Sequence, residues 1–336
     1  MIQVVNSEVV KDKKVLLRYD IDVQITDGKV TEDFKLKAGL ETLRLCIENA
    51  SKVVIIGHVG RPAVPSADLS AKPIAEWFEK QLGQSVEFVI TLEQAKNSSA
   101  KIILLENIRF FHGEVESDVD FAKQLATLGD VYVNEAFSAH NVAASTTMVP
   151  TLLPHAAGLH FVKEVETLLN VRNNPKKPFI GIMGGAKVKD KLPVISVLAR
   201  NADAVLVGGK LVHEIREEEV ELPSNVLVGK LNEDGFDIAP ETTSAWGDLI
   251  SKAKMIVWNG PVGKFEDPKY NQTEELIKLV LNSGAEIVIG GGDSVAALSQ
   301  YGLLEQAEKV GFVSVGGGAM LKLISDGTLP TIEALA

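Results

Sequence analysis

The chain has 336 residues, a length that favours two domains over one. Hydrophobic residues make up 46% of it and charged residues 24%, which excludes long disordered segments. The net charge of −11 argues against a general nucleic-acid binder, and the single cysteine, Cys46, excludes an intrachain disulfide and a cysteine-built metal cage. Without a signal-peptide pattern or an apolar run long enough to cross a membrane, we expect a cytoplasmic protein with no membrane or nucleic-acid partner.

The first half of the chain alternates short apolar runs with longer amphipathic stretches. Runs that are apolar throughout are typical of parallel strands that helices bury on both faces. The predicted strands are Lys14–Tyr19, Ser51–Gly57, Ser85–Ile90, Lys101–Glu106 and Asp130–Asn134. Apolar residues at helical spacing predict helices over Leu36–Ala50 and Ile74–Leu82.

The same pattern restarts after a predicted helix, Phe161–Arg172, which ends at Asn173, Asn174 and Pro175. The strands predicted beyond it are Phe179–Met183, Ala204–Gly208, Asn225–Val228, Met255–Trp258, Glu286–Ile289 and Gly311–Val315. We therefore expect an α/β fold of two doubly wound, Rossmann-like parallel-sheet domains, 1–158 and 175–322, joined by a hinge helix at 159–174. An ordinary surface helix is the alternative for the joining segment.

Four glycine-rich turns follow predicted strands in the second half. They are contained in PFIGIMGGAKVKDK (Pro178–Lys191), AVLVGGK (Ala204–Lys210), EIVIGGGDS (Glu286–Ser294) and GFVSVGGGAM (Gly311–Met320). A glycine turn between a strand and a helix exposes backbone N–H groups and admits a phosphate. Together the four turns indicate a nucleotide phosphate site at the carboxyl ends of a parallel sheet.

Charged side chains accompany these turns. Lys187 and Lys191 are four residues apart and share a helix face, where they can hold a phosphoryl group; a solvated basic face is the alternative. Asp293 and Ser294 suit a Mg²⁺ ion bridging phosphate oxygens, or else cap a helix over Val295–Gln300. The pattern is not that of a P-loop.

Two more segments complete the predicted nucleotide site. Glu266, after the strand in IVWNGPVGKFED, can accept hydrogen bonds from ribose hydroxyls, although by itself it is typical of surface charge. The turn at Gly316, Gly317 and Gly318 offers a nest of N–H donors to a phosphoryl group, with close packing as the alternative.

Polar side chains also end the strands of the first half. They occur in RYDID (Arg18–Asp22), GHVGRP (Gly57–Pro62), LLENIRF (Leu104–Phe110) and VNEAFSAHN (Val133–Asn141). Such residues converge on one crevice in an open α/β sheet, and arginine suits phosphate or carboxylate. The joint pattern predicts a site for a small anion, although a single histidine such as His58 or His140 is more often a buried structural residue.

These segments, in this order, resemble the phosphoglycerate kinase family over essentially the whole chain. The matching stretches are RYDIDV, GHVGRP, LLENIRF, LGDVYVNEAFSAH, GGAKVKDK, VWNGPVGKFE, GGGDS, VGGGAML and the closing SDGTLPTIEAL. The resemblance implies a hinge-bending glycolytic kinase that transfers a phosphoryl group reversibly between 1,3-bisphosphoglycerate and ADP, giving 3-phosphoglycerate and ATP, with Mg²⁺. It implies a phosphoglycerate-binding N-terminal domain, a nucleotide-binding C-terminal domain, and a tail, 323–336, packed on the N-terminal domain. We expect a monomer, because the sequence has no heptad pattern or large apolar stripe that demands a partner.

The resemblance also implies roles for individual positions. Those near the transferring phosphoryl group are Lys35, Lys187, Gly316, Gly317 and Gly318. Those at the phosphoglycerate are Asp20, Asp22, His58, Arg61, Arg109, His140 and Asn141. Those at the nucleotide are Lys191, Gly208, Gly209, Asn259, Glu266, Gly291, Gly292, Asp293 and Ser294, with Asp293 as the metal ligand.

The chain departs from the family pattern mainly on the substrate side. Lys35 and Asn141 replace arginines, Asp22 replaces an asparagine, one residue is missing near Ser138, and the stretch between Val212 and Asp237 is short. Two alternatives therefore stay open: a related kinase acting on a different small carboxylate, and a catalytically weak nucleotide-binding regulatory protein. A dinucleotide dehydrogenase is disfavoured because no GxGxxG with a distal acid follows the first strand.

Overall fold

The computed structural model describes residues 2–186 and 188–336. They divide into two compact units, one comprising residues up to Val165 together with Thr328–Ala336, and the other Glu166–Gly327. The division falls inside a single helix, Leu159–Asn173, instead of at either of its ends. None of the described helices is both long enough and apolar enough to cross a lipid bilayer.

The first unit contains a parallel sheet that is six-stranded in the described part of the chain, with the order β5-β6-β4-β1-β7-β8. Its strands are β1 (Lys14–Arg18), β4 (Lys52–Ile56), β5 (Glu87–Val89), β6 (Ile102–Leu105), β7 (Val131–Asn134) and β8 (His155–Ala157), and a small hairpin adds β2 (Ile25–Thr26) and β3 (Lys29–Val30). The helices are α1 (Ser7–Val10), α2 (Phe34–Ala38), α3 (Leu40–Asn49), α4 (Lys72–Leu82), α5 (Leu92–Asn97), α6 (Val119–Ala126), α7 (Val149–Leu152) and α8 (Leu159–Asn173). Shorter helical turns cover Ala67–Leu69, Ile108–Phe110 and Ala144–Met148, the last of them π-helical.

The second unit also has a six-stranded parallel sheet among its described residues, with the order β11-β10-β9-β12-β13-β14. Its strands are β9 (Phe179–Met183), β10 (Ala204–Val207), β11 (Val226–Val228), β12 (Met255–Asn259), β13 (Glu286–Gly290) and β14 (Phe312–Ser314). The helices are α9 (Val188–Asn201), α10 (Leu211–Glu217), α11 (Pro240–Ile250), α12 (Gln272–Leu281), α13 (Gly292–Gln300), α14 (Leu304–Val310) and α15 (Gly317–Asp326). The strand order reverses direction between β9 and β12, which is where α/β sheets bind ligands.

The C-terminal residues return to the first unit from Thr328 onward. A last helix, α16 (Pro330–Glu333), lies against the π-helical turn Ala144–Met148, and Leu329 and Leu335 on either side of it are buried. This segment starts five residues later than the predicted 323, because α15 continues to Asp326 and Gly327 ends it in a left-handed conformation.

The structure confirms the predicted fold class of two parallel-sheet α/β domains. The predicted helix Leu36–Ala50 is wrong in one respect, since it is divided into α2 and α3 at Gly39. A side chain at Gly39 would collide with the ring of Tyr19, whose hydroxyl donates to the carbonyl of Leu36. Strand β8 and the β2–β3 hairpin were not predicted from the sequence, because these strands have only two or three residues.

Candidate functional sites in the two units

Glycines at the ends of β9 and β12 allow the backbones of the two central turns to touch. A Cβ atom at Gly184 would overlap the carbonyl oxygens of Gly260 and Pro261. Gly260 has a φ of +88°, a conformation that disfavours any residue with a side chain. These two glycines therefore bring the turn after β9 against the turn after β12, at the reversal point of the sheet.

Lys191 reaches into this junction from the first turns of α9. Its ammonium donates a hydrogen bond to the carbonyl of Gly184 and lies 2.7 Å from the Cβ position of Gly260. Burial lowers the pKa of Lys191 to about 8, against the opposing effects of Asp293 and Glu214. The Lys191 ammonium is therefore only partly solvated, and it lies beside two glycine turns whose backbone can come close to an anion. Lys187, its predicted partner, lies outside the described residues.

The turn after β13 contributes Asp293 to the same edge. Helix α13 begins at Gly292 with Gly291 as its N-cap, so the alternative of a helix capped by Asp293 or Ser294 is wrong. Ser294 instead accepts a hydrogen bond at 2.8 Å from the N–H of Gly260, and its hydroxyl is buried. Asp293 is exposed in the first turn of the helix, where its carboxylate is available to solutes.

Asn259 and the last glycine turn have structural contacts of their own. The side-chain amide of Asn259 donates to the carbonyl of Gly290 at 2.9 Å and ties the ends of β12 and β13 together. The N–H of Gly316 donates to the Ser314 hydroxyl at 3.2 Å. Gly317 and Gly318 begin α15, where N–H groups have no acceptor within the helix. Gly316 is therefore paired within its own turn, whereas Gly317 and Gly318 occupy the helix positions whose N–H groups can serve an external acceptor.

A pocket of about 540 Å³ opens along this edge of the second unit. Gly209, Glu266 and Asp293, three of the predicted nucleotide-site residues, line it. Further lining residues that the sequence analysis did not assign are Lys210, His213, Phe236 and Lys264. Phe236 is an aromatic side chain left largely exposed on the pocket wall. No motif marks it, because it lies in the short segment between β11 and α11.

The first unit has a pocket of about 200 Å³ at the carboxyl ends of its strands. We call it the first pocket, and we call the pocket of the second unit the second pocket. The first pocket is lined by six of the seven predicted substrate-site residues: Asp22, His58, Arg61, Arg109, His140 and Asn141. They follow β1, β4, β6 and β7, strands that are neighbours in the sheet. The convergence that strand ends predict is therefore present in the structure.

Asp20, the seventh predicted residue, lies apart from the pocket lining with Lys35. The Lys35 ammonium is 3.9 Å from Asp20 Oδ1, and Asp20 is only 3% exposed. Both carboxylate oxygens of Asp20 are buried without a hydrogen-bond partner among the described residues. Burial would lower the pKa of Lys35, but Asp20, Asp22 and Glu32 together outweigh it and raise that pKa. Lys35 is therefore a cation at neutral pH.

The tautomer of His58 follows from its partner Arg18. A guanidinium nitrogen of Arg18 lies 2.6 Å from His58 Nδ1, and because arginine can only donate, Nδ1 must accept. Burial lowers the pKa of His58 well below its ordinary value, and Arg18 and Arg109 lower it further. His58 is therefore neutral with its proton on Nε2, an atom 3.9 Å from Asp22 Oδ2.

Backbone contacts hold the remaining side chains of this pocket. Asp22 Oδ1 accepts the N–H of Gly60 at 2.8 Å, and Arg109 donates to the carbonyl of the same glycine. His140 Nδ1 lies 2.9 Å from the carbonyl of Ser138 and donates to it. The Gly60 loop is thus fixed from both sides.

Three buried groups at the first pocket were not predicted from the sequence: Arg18 and Glu114, which line it, and Ser145, which contacts both. Arg18 belongs to the RYDID segment but was given no role. Its position could have indicated a role, because Arg18 is a charged residue at the end of an otherwise apolar strand. Glu114 lies in a turn and Ser145 in the π-helical segment Ala144–Met148, and neither stretch carries a motif.

The fold and these two pockets define the chain as a two-unit α/β protein with a polar pocket at a strand edge of each unit. A sequence model of the family described as phosphoglycerate kinase matches residues 5–219 and 214–327. The chain is similar to the phosphoglycerate kinase of Desulfovibrio desulfuricans (36% identical over 375 residues, covering 96% of each chain) and to that of Thermosipho africanus (34%, covering 97% and 96%). Among solved structures it is similar to the phosphoglycerate kinases of Pyrococcus horikoshii (28% identical, TM-score 0.85, covering 100% and 98%) and Coxiella burnetii (30%, TM-score 0.81, covering 97% and 96%).

The chain therefore belongs to the phosphoglycerate kinase family. The two matched segments meet at residues 214–219, at the end of α10. The Desulfovibrio alignment extends over 375 residues, more than the 336 of this chain, so that relative contains positions with no counterpart here. The break falls within the stretch Val212–Asp237 that the sequence analysis described as short.

Proposed function

We propose that this chain catalyses reversible phosphoryl transfer between 1,3-bisphosphoglycerate and ADP, giving 3-phosphoglycerate and ATP. Family membership over nearly the whole chain supports the reaction. The observation that carries the substrate assignment is the first pocket, in which Arg18, Arg61 and Arg109 surround a volume of about 200 Å³. Three guanidinium groups suit a small molecule with both a phosphate and a carboxylate.

Asp20, which lies outside the pocket lining, is proposed to accept a hydrogen bond from a hydroxyl of that molecule once its carboxylate becomes accessible. A buried carboxylate without hydrogen bonds costs about 1–3 kcal/mol or more, so a donor from the substrate would stabilise it. The neutral side chain of His58 adds an N–H donor at Nε2 for an anionic oxygen. A phosphorylated hydroxy acid offers the hydroxyl and the two anionic groups that these side chains require.

The second pocket is assigned to the nucleotide. Lys191 would contact the phosphates at the β9–β12 junction, while the N–H groups of Gly317 and Gly318 would donate to the transferring phosphoryl group. Glu266 and Phe236 line the part of the pocket assigned to ribose and base. Lys187 is proposed as the cation that offsets charge on the phosphoryl group, and Lys35 as its counterpart in the first unit.

The residues present fit a Mg²⁺ ion that is held mostly by phosphate oxygens. The described residues hold no cluster of three or more His, Cys, Asp or Glu side chains that would make a metal cage. Asp293, one of three exposed carboxylates in the lining of the nucleotide pocket beside Asp234 and Glu266, is proposed as the protein ligand, and Mg²⁺ is commonly bound by one or two carboxylates together with substrate phosphates. When bound, the ion would neutralise charge on the phosphate oxygens.

A coupled assay with purified protein, Mg·ATP and 3-phosphoglycerate tests the proposal. Turnover with 3-phosphoglycerate, but not with glycerate or other small carboxylates lacking a phosphate, is the expected result. Arg61→Gln should raise KM for 3-phosphoglycerate by about tenfold or more, because it removes a charge-assisted hydrogen bond. Arg44→Gln is the matched control, since Arg44 is exposed on α3 and lies outside the pocket lining.

Two outcomes would contradict the proposal. Turnover confined to a different carboxylate would identify another kinase. Nucleotide binding in calorimetry without turnover of any carboxylate would identify a regulatory protein.

A further inference from the structure

Four buried polar side chains form a continuous chain of hydrogen bonds in the wall of the first pocket, which Arg18, His58 and Glu114 line. Ser145 Oγ lies 2.6 Å from Glu114 Oε1, and Arg18 Nε lies 3.1 Å from Ser145 Oγ. The far end of Arg18 contacts His58 Nδ1 at 2.6 Å. We call this set the Glu114 relay: Glu114, Ser145, Arg18 and His58. Each member is 7% exposed or less.

The direction of every hydrogen bond in the relay is determined by chemistry. Arg18 can only donate, so both Ser145 Oγ and His58 Nδ1 accept from it. Ser145 must then direct its own proton toward Glu114 Oε1, while Glu114 Oε2 accepts the Ser145 backbone N–H at 3.0 Å. Because the Glu114 carboxylate can only accept hydrogen bonds, the series of hydrogen bonds ends at Glu114.

Further contacts keep Arg18 and Ser145 in place. Arg18 also donates to the carbonyl of Tyr19 at 2.7 Å, and the hydroxyl of Tyr132 donates to the carbonyl of Ser145 at 2.8 Å. Burial raises the pKa of Glu114, and the positive charge of Arg18 and the hydrogen bonds from Ser145 oppose that shift only in part. The Glu114 carboxylate and the Arg18 guanidinium therefore interact through Ser145, and removing the carboxylate would leave the buried cation with less compensation.

We propose that Glu114 is a positioning residue, which acts through Ser145 and Arg18 to hold His58 in the Nε2-protonated tautomer that presents an N–H donor to the pocket. Glu114 itself makes no contact with His58. The use of that donor by an anionic substrate rests on the proposed function. The tautomer itself does not, because the relay is complete within the protein.

The first test is the ¹⁵N NMR spectrum of histidine-labelled protein without substrate, in which His58→Gln assigns the His58 signals. In the unchanged chain we expect a protonated Nε2 and an unprotonated Nδ1 for His58. The charged groups facing this ring, which also set its titration, are Arg18, Asp22, Lys35, Arg61 and Arg109. A protonated Nδ1 in the unchanged chain would overturn the proposal without any variant.

The second test compares two relay variants with a matched control. Glu114→Gln and Ser145→Ala should introduce Nδ1-protonated or cationic His58 and raise KM for 3-phosphoglycerate about tenfold, with KM for ADP within about twofold of the unchanged chain. Glu116→Gln makes the same exchange two residues away, at an exposed carboxylate that accepts the N–H of Gly113. It should leave both measurements unchanged.

These measurements separate positioning from structural support. A residue that only stabilises the fold would lower the unfolding midpoint without moving the His58 nitrogen shifts or the ratio of the two KM values. Spectra and KM values of Glu114→Gln and Ser145→Ala equal to those of Glu116→Gln would overturn the proposal. If no variant or unchanged chain turns over 3-phosphoglycerate while the tautomer responds as expected, the proposed function fails and the relay stands.

Discussion

Replacing Gly317 with alanine should disturb the phosphate edge of the second unit by backbone contact alone. The new Cβ would lie 2.8 Å from Gly291 Cα and 3.5 Å from the amide nitrogens of Gly291 and Gly292. Ordinary contacts of a methyl group are 3.4–4 Å, so the turns after β13 and β14 must separate by about half an ångström or more. Neither side of this contact is a flexible side chain that could move away.

The magnitude follows from two opposing terms. Overpacking of this kind costs about 1–3 kcal/mol, while alanine at the first position of α15 regains at most about 1 kcal/mol of helix propensity. We therefore expect a net loss of about 1–2 kcal/mol in the free energy of unfolding. Displacement of the N–H groups of Gly291, Gly292 and Gly318 should also weaken binding of Mg·ADP, by about tenfold for 1.4 kcal/mol.

Urea denaturation and calorimetric titration measure these two effects. Two buried tryptophans of the second unit, Trp246 and Trp258, report its unfolding by fluorescence. Gly247→Ala in α11 is the matched control, because its Cβ would make one ordinary contact, 3.5 Å from Leu279. It should raise the free energy of unfolding by about 0.5–1 kcal/mol.

Both substitutions restrict the unfolded chain equally, so their difference isolates the contact with Gly291. A Gly317→Ala protein as stable as Gly247→Ala, with unchanged Mg·ADP affinity, would contradict this prediction. It would show that the two glycine turns do not depend on each other.

Three further predictions concern single residues. Burial lowers the pKa of Lys191 to about 8, so Lys191 should lose its charge above that pH and kcat/KM for ADP should fall there in a pH profile. Lys191→Arg should remove this alkaline fall, and an identical fall in the variant would exclude Lys191 as the titrating group. Burial raises the pKa of Glu135 well above 4.5, so protonation of Glu135 stabilises the folded state below pH 4.5, and this contribution is lost as the pH rises through the raised pKa. Glu135→Gln should abolish that loss in urea midpoints measured from pH 4 to 8, and parallel pH curves for both proteins would contradict the prediction. Asn141→Arg should lower KM for 3-phosphoglycerate by about tenfold through a charge-assisted hydrogen bond, whereas an unchanged or higher KM would point to a different anion in the pocket.

The sequence was sufficient to predict the fold class and most of the strands. Runs such as Ile102–Leu105 and Val131–Asn134 are buried in full, and a strand of that kind can be placed only in the interior of a parallel sheet. Glycines and polar residues at the strand ends identified both pockets, because parallel strands place their carboxyl ends at one edge. Local patterns were enough here, since each depends on neighbouring residues in the chain.

Other features depend on contacts between distant residues and could not be predicted from the chain. The ring of Tyr19 occupies the space at Gly39 and divides α2 from α3, although the apolar spacing there is continuous. From the sequence, Ser294 is predicted to cap a helix or to bind a phosphate. In the structure its hydroxyl accepts the N–H of Gly260, 34 residues earlier. In each case a partner far along the chain decides the outcome.

The chain by itself determined that two α/β units would each present a polar strand edge, because hydrophobic period and glycine placement are local properties. The arrangement of the buried polar side chains at the first pocket depends on the tertiary structure. Arg18 meets Ser145 across 127 residues and His58 across 40, and these contacts set which nitrogen of the imidazole carries the proton. The direction of a hydrogen bond depends on which donor and acceptor the folded chain brings within about 3 Å of each other. The spacing of residues in the sequence does not reveal which distant residues will be that close.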